Sequence, residues 1–509
     1  MFESDSKKVV MIGAGPAGLT AAYELCKAGV QAVVLEQDAT VGGISRTVNH
    51  KGYNFDIGGH RFFTKVKAVE DMWREVLIEE DFLRCKRMSR IFYKKRFFYY
   101  PLRAFDALFG LGIWNSLLIL LSYFKAQMFP EKPEQTFEQW VSNRFGKRLY
   151  LTFFKTYTEK VWGIPCSEIT AEWAAQRIKG LSLMTALKNA LIKQKMSNKD
   201  KVIKTLIDEF NYPRLGPGMM WEKVAYVVQQ KGGNVMLKTG VEKIHWSGDR
   251  VVALEVVSDG QRKLITGTHF ISSMPIRDLI QRFEPAVPSE VLEAATKLNY
   301  RDFLTVALVV NKPEVFPDNW IYIHDPEVKM GRIQNFKNWS KHMVPDQNKT
   351  CLGLEYFCFE GDGLWTTPDK ELIELGKKEL AKIGLVNEQD VEDGAVVRMV
   401  KAYPVYDSTY SEALDTIRRF LSGIHNLQLV GRNGLHKYNN QDHSMLTAML
   451  AVKNILFDAK YDLWQVNAEQ EYHEEVTDQR RQDIKDLAIM ATTQPLVPER
   501  ASRVTRTGK

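Results

Sequence analysis

An apolar run, Val9–Ile12, breaks off at Gly13-Ala14-Gly15-Pro16-Ala17-Gly18, and this junction constrains the fold more than any other feature of the chain. A helix-like stretch follows, then a second apolar run, Ala32–Leu35, closed by Glu36. Strand, helix and strand in that order make a βαβ unit, and the glycine spacing gives it a dinucleotide fingerprint. Gly13 permits the tight turn, Gly15 lets backbone N–H groups approach a pyrophosphate, and Gly18 lets helix and strand pack closely. The pyrophosphate is expected on the helix N-terminus, where unpaired N–H groups and the helix dipole favour an anion. Glu36 ends the second strand, placed to accept hydrogen bonds from a ribose 2′-OH. A turn serving packing alone has no need of that acid in register.

The 509 residues suggest roughly two to four domains or one large two-lobed fold. A net charge of +7 is mild for this length. It suits an anionic substrate or a membrane surface and is no nucleic-acid signature. Cys26, Cys85, Cys166, Cys351 and Cys358 form no CxxC and no metal spacing, which reads as buried free thiols in a reducing compartment. The chain enters its first strand within about eight residues, so neither a signal peptide nor a transit segment is expected and the location should be cytoplasmic.

Ala107–Phe124 carries no charge over 18 residues, with Arg103 and Asp106 before it and Lys125 after it. That length is at the lower edge for a membrane span, and two glycines, Asn115 and two serines weaken one. Three readings stand: a helix buried in a large core, an interfacial segment dipping into a leaflet, and a true span. Thr136–Arg148 looks like an amphipathic helix, and Tyr157–Ser182 reads as further helix. Lys193–Lys204 reads as a solvated loop. Between Gly233 and Met274 the pattern turns to alternating strands with Gly-Asp and Asp-Gly turns. Phe303–Val310, Trp320–His324 and Cys351–Phe359 are further strands, Lys370–Ile383 is a helix, and Leu427–Gly431 is a short strand before a helix at Ser444–Ala459. Pro495–Lys509 should be disordered.

The fingerprint does not separate NAD from FAD. Glu36 followed by Gly42-Gly43 and Arg46 resembles the flavin pattern of the glutathione-reductase-like and amine-oxidase-like superfamily. The hairpin from Val241 resembles the stretch that lays a backbone group against the adenine, and Leu429-Val430-Gly431-Arg432 before a helix resembles the second flavin motif. A narrower set occurs in order: Phe55-Asp56-Ile57-Gly58-Gly59-His60, Tyr100-Pro101, Glu159-Lys160-Val161-Trp162-Gly163-Ile164-Pro165, Trp173 with Arg177, Tyr212-Pro213-Arg214, and Tyr438 with Asn440-Gln441-Asp442-His443-Ser444. This set resembles the UDP-galactopyranose mutases, the eukaryotic type more than the short bacterial one, from about Lys7 to Ala459.

The resemblance implies an α/β fold: a Rossmann-like FAD-binding domain of the two-dinucleotide-binding kind, with helical and antiparallel-sheet substrate domains inserted. The FAD-binding part would be assembled from residues 1–100, 206–280 and 401–465. A mainly helical region (101–205), an antiparallel sheet (281–400) and a charged tail (466–509) would make up the rest. FAD would be bound by Gly13, Gly15, Pro16, Ala17, Gly18, Glu36, Gly43, Arg46, Val241, Gly431, Arg432, Asp442, His443 and Ser444. Gly58, Gly59 and His60 would form the loop beside flavin N5. Asp442 would cap the closing helix, whose N-terminus stabilises a reduced, anionic flavin. In the mutases, reduced flavin acts through N5 on the anomeric carbon of a nucleotide sugar, and pyranose and furanose forms interconvert without net redox. His60, Arg177, Arg332 and Asn440 are then the catalytic candidates. Arg177 and Arg332 would grip the substrate diphosphate, since a guanidinium fork suits phosphate bidentately. Trp162, Lys437 and Tyr438 would line the substrate.

Two departures stand out. Lys437 replaces an arginine, keeping the charge and losing the fork. The span after Tyr100-Pro101 is far more apolar than in the mutases. That second departure keeps an alternative open: an oxidoreductase of the amine-oxidase, protoporphyrinogen-oxidase or desaturase kind, moving hydride to or from an apolar or lipid-linked substrate. NAD(P)H as reductant fits either, although no second complete fingerprint follows the first. No nucleic-acid partner and no metal are expected, and peripheral membrane contact through Ala107–Phe124 stands as one of the three readings of that segment.

Overall fold

The computed structural model describes residues 7–100, 110–171, 174 and 209–466. The expected βαβ unit forms as β1 (Lys8–Ile12), α1 (Pro16–Lys27) and β2 (Gln31–Leu35), with β1 and β2 parallel and Val9 paired to Ala32. β1 is the central strand of a five-stranded parallel sheet whose other strands come from far along the chain. His269–Ser272 and then Leu427–Leu429 lie on one side of β1, and β2 and Asn234–Met236 on the other. A continuous apolar strand such as Val9–Ile12 is what a sheet covered on both faces requires. The nucleotide-binding sheet is therefore built from three separated stretches of sequence. α1 is buried from Pro16 to Cys26 and packs against the helices Gly218–Gln230 and Gln441–Phe457.

The alternating region folds as the antiparallel strands Thr239–Ser247, Arg250–Ser258 and Gln261–Thr266. A seven-stranded sheet carries the other half of the molecule. Its order is Val391–Pro404, Tyr300–Val310, Thr350–Cys358, Arg332–Asn335, Trp320–Ile323, Ser89–Tyr93 and Arg96–Tyr99. Two of its strands thus come from before residue 100, paired in parallel through Trp320↔Ser89. Tyr300–Val310 and Thr350–Cys358 are buried along their whole length, as interior strands covered on both faces.

Three expectations change. The helix expected over Tyr157–Ser182 is interrupted: Lys155–Trp162 is helical and stops where Gly163 turns left-handed at φ +69°, Ala171 and Ala174 are helical again, and residues 172–173 and 175–182 lie outside the described residues. A Cβ at Gly163 would meet the Arg301 guanidinium at 2.5 Å, so the stop is imposed by packing from another strand. The helix expected at Ser444–Ala459 begins earlier, at Gln441, with Asn440 as its N-cap; Asp442 lies in the first turn and is not the cap. The uncharged segment forms a helix at Ile113–Met128. Among the described residues, no helix is long and apolar enough to cross a membrane. The helix is not buried either, since Ile119 and Tyr123 alone of its residues are fully covered. Lys193–Lys204 and Pro495–Lys509 lie outside the described residues.

Candidate functional site

The glycine turn is built as the fingerprint requires. Gly13 has φ +100° and donates its N–H to Leu35 O at 2.8 Å, tying the turn to the end of β2. Gly15 is the N-cap of α1, with no side-chain cap and no acidic residue in the first turn. The first N–H groups of α1, beginning after Pro16, are left for an anion. Gly15 approaches Gly43 so closely that a Cβ on Gly43 would stand 3.3 Å from the Gly15 Cα. A Cβ on Gly431, at φ +80°, would stand 3.1 Å from the Ala17 Cβ. The C-terminal return therefore closes over the N-terminus of α1, with Ser444 beside it.

Glu36 is buried at the end of β2. Its carboxylate accepts N–H bonds from Ala14 at 2.7 Å and Asp38 at 2.9 Å. Burial raises its pKa, and those two bonds oppose the rise. Arg46 pairs with Asp38 at 2.5 Å next to it. Val241 is buried at a bulge in its hairpin, and its carbonyl accepts from Arg282 Nε at 2.8 Å.

The Gly58-Gly59-His60 turn lies against the seven-stranded sheet. A Cβ at Gly59 would come 2.9 Å from Gln334 Nε2, and one at Gly58 3.6 Å from the Phe303 ring. His60 is part-buried, and its Nδ1, shielded from solvent, has no hydrogen-bond partner among the described residues. Burial pushes its pKa down to about 3, with Arg432 and Arg332 adding to the shift. The ring is thus held neutral, with one nitrogen left for a bound group.

On the sheet beside it, Arg332 and Glu355 are register partners on adjacent strands. Arg332 Nε donates to Glu355 Oε2 at 2.8 Å, and Gln334 Nε2 donates to Oε1 at 2.9 Å. Glu355 holds the guanidinium charged, well above its ordinary pKa. Around this pair stand phenols. Tyr157 stacks on His324 at 4.6 Å and meets Tyr322 edge-on at 5.6 Å. Tyr403 stacks on Tyr438 at 5.6 Å and meets the edge of Trp162 at 6.4 Å. Arg432 lies over both stacked rings, at 5.2 Å from Tyr403 and 5.0 Å from Tyr438, while its Nε and Nη1 donate to the carbonyls of Asn439 and Ala402. Burial pushes the Tyr403 hydroxyl up to about 12, so it is a neutral donor across the physiological range.

The structure thus brings His60, Trp162, Arg332, Arg432 and Tyr438 into one neighbourhood. Asn440 sits at its edge as an exposed helix cap, its N–H donating to His443 Nδ1 at 3.2 Å. Lys437 departs from its expected substrate role, because its ammonium is engaged by Trp464 O at 2.6 Å and Val466 O at 3.0 Å. Arg177 and Trp173 lie outside the described residues. The sequence did not single out Glu355, Gln334, Tyr157, Tyr322 or Tyr403. No local spacing announces them, and strand pairing alone sets Glu355 opposite Arg332.

A glycine turn aimed at a helix N-terminus, an acid in register and a neutral histidine beside a second closing helix define the dinucleotide-binding flavoprotein class. The chain matches flavin containing amine oxidoreductases over residues 16–435, and it belongs to that family. Its cofactor is FAD. An L-amino-acid oxidase of Crotalus adamanteus is 46% identical over 68 residues, 13% of this chain and 13% of the relative's length. Among solved structures, a reduced UDP-galactopyranose mutase superposes with a TM-score of 0.77 at 21% identity, covering 91% of this chain and 96% of that one. A candidate protoporphyrinogen oxidase from Exiguobacterium sp. 255-15 gives 0.67 at 16% identity, covering 89% and 100%. Likeness at these identities establishes the fold.

The His60 geometry has a consequence for stability. Its folded pKa lies below the unfolded value, so the unfolded chain binds the extra proton as pH falls from about 6.5 toward 3, and the fold weakens over that window. The urea midpoint should fall less between pH 7 and pH 5 in His60→Gln than in the parent. Equal falls in the two proteins would show that His60 titrates normally.

Proposed function

We propose that this flavoenzyme uses reduced FAD to act on a nucleotide sugar or related sugar diphosphate, interconverting pyranose and furanose forms. The observation that carries this reading is the character of the ground around His60. Arg332 and Arg432 stand there with the hydroxyls of Tyr157, Tyr322, Tyr403 and Tyr438, a polar aromatic surface suited to a sugar and a diphosphate. When bound, the reduced flavin supplies a nucleophile at N5. The chain would hold FAD through Gly13–Gly18, Glu36, Gly43 and the Gly431–Ser444 return. Neutral His60 would offer a hydrogen bond to the flavin edge, and the phenols would orient the sugar. Arg332, with Arg177 as its expected partner, would neutralise charge developing on the departing diphosphate.

A second reading, hydride transfer with an apolar or lipid-linked substrate, draws support from the exposed apolar helix Ile113–Met128 on the same half of the molecule. One experiment separates the two. Dithionite-reduced protein is incubated with UDP-galactopyranose and the products are resolved by chromatography. The furanose isomer, formed without net flavin oxidation, is the expected result. No isomer, together with reoxidation of the flavin by a quinone or lipid acceptor, would replace the first reading with the second.

A further inference from the structure

The helix Ile113–Met128 buries Ile119 and Tyr123 and turns a broad apolar face outward. Its outward face carries Ile113, Trp114, Leu117, Leu118, Leu121, Phe124 and Met128, with Ile113 81% and Trp114 80% exposed. Ile119 and Tyr123 are its buried residues, and polar side chains along its flanks fasten it to the body. Asn115 Oδ1 accepts from Arg148 Nη2 at 2.8 Å, Ser122 Oγ accepts from the Arg148 N–H at 3.1 Å, and Gln127 Nε2 donates to Asn143 O at 2.8 Å. The neighbouring helix comes so close that a Cβ at Gly146 would lie 2.7 Å from the Tyr123 N. Polar bonds, tight backbone contact and the buried Ile119 and Tyr123 anchor the helix, while the other large apolar side chains named point away from the protein. Phe129, 73% exposed, and Leu151 on the adjoining turn extend the same surface. A contiguous apolar face of this kind marks an interaction site.

We infer that this face is a docking surface for an anionic lipid bilayer, entered as an interfacial helix lying along the membrane. Sixteen residues at about 1.5 Å each reach roughly 24 Å, short of a hydrocarbon core about 30 Å thick, so the helix lies in the surface and does not span it. Charge selects lipid over protein. No acidic residue occurs from Gly110 to Pro130, while Lys125 sits on the rim of the face. Lys95 and Arg96 are on the hairpin beside the helix start, where Arg96 Nη1 donates to Gly110 O at 2.5 Å. Lys132 follows the helix and Arg148 adjoins it. Glu131 is the acid nearest its end, and Glu134 and Glu138 are taken up by Arg144 and Lys147. Lysines around an apolar patch suit phosphate headgroups and are depleted at protein–protein interfaces. Trp114 belongs at the level of the headgroups, where indole is enriched.

The test is flotation of the full-length holoprotein with vesicles of phosphatidylcholine and phosphatidylglycerol, against vesicles of phosphatidylcholine alone, with sedimentation velocity of the free protein. The variant Leu117→Glu/Leu121→Glu alters two exposed side chains away from the flavin site, and its flavin absorbance and melting temperature report whether it folds. The parent should float with the anionic vesicles and float less with the neutral ones. The double variant should bind on the order of a hundredfold more weakly, two leucines no longer entering lipid. A parent that stays out of both vesicle fractions overturns the inference. If it then sediments as a dimer that the double variant splits, the face belongs to a second copy. If it sediments as a monomer, a segment of the chain itself covers the face. Equal flotation of parent and double variant would also overturn it.

Discussion

Gly18→Ala should yield protein without flavin, or no soluble protein at all. Two effects oppose each other at this position, and their sizes decide the sign. Gly18 lies inside α1, where alanine is a better helix former by about 1 kcal/mol. A Cβ there would overlap the carbonyl oxygen of Gly13 and touch its carbonyl carbon at 3.0 Å. Both atoms are backbone, so no side chain can swing aside. Gly13 is itself held by its bond to Leu35 O, so the overlap must push α1 off the parallel sheet or distort the turn. Overpacking a tight core costs about 1–3 kcal/mol, and more where the obstacle is backbone. The steric cost therefore exceeds the propensity gain, and it falls on the atoms that would cradle the pyrophosphate. The ratio of absorbance at about 450 nm to that at 280 nm, with a melting curve, reads both outcomes. A yellow Gly18→Ala protein with the parent melting temperature would mean that the close approach of turn and helix is not needed.

That approach could be read in the chain because βαβ geometry is local. Val9–Glu36 states its strands, its turn and its acid within one short stretch, and the parallel five-stranded sheet follows once three later strands are recognised. The strands from Thr239 to Ser272 were equally legible, since alternation and turn residues are local signals too. The site is where local reading thins out. His60 announces itself through its glycines, but the packing of its turn depends on Gln334 and Trp339 against Gly59, and the charge beside it on Arg332 and Glu355. Arg332 and Glu355 become neighbours only through the register of two strands joined by a long connection. Lys437 shows the same limit from the other side. Its position in the motif suggests a substrate contact, whereas two carbonyls near residue 465, close only in space, claim its ammonium. The apolar helix was misleading for a different reason. Composition fixes how apolar a segment is, and the neighbours Asn143, Gly146 and Arg148 decide which face points outward.

Glu355→Ala should lower the free energy of unfolding by about 3 kcal/mol, the lower end of the range for breaking a buried ion pair. The lower end applies because the Arg332 side chain keeps 17% exposure, so water softens the cost of leaving it unpaired, while Glu355 itself is fully buried. Gln334 loses its acceptor as well and adds to the cost. The double variant Arg332→Met/Glu355→Leu should recover most of that loss, because an apolar pair of similar volume avoids desolvating both charges. The coupling between the two positions, measured in a double-mutant cycle of urea unfolding, should then be large and favourable. Function should not follow stability. The recovered double variant has lost the guanidinium that would face a diphosphate, so under the proposed isomerisation it should be folded, yellow and inactive with UDP-galactopyranose. If stability and turnover return together, Arg332 supports the sheet alone and the diphosphate is held elsewhere. If Glu355→Ala stays within about 1 kcal/mol of the parent, the pair is no more than a surface contact of the ordinary weak kind. A stable, flavin-loaded and inactive double variant would mean that two costly charges are kept in the core of the sheet for the substrate they serve.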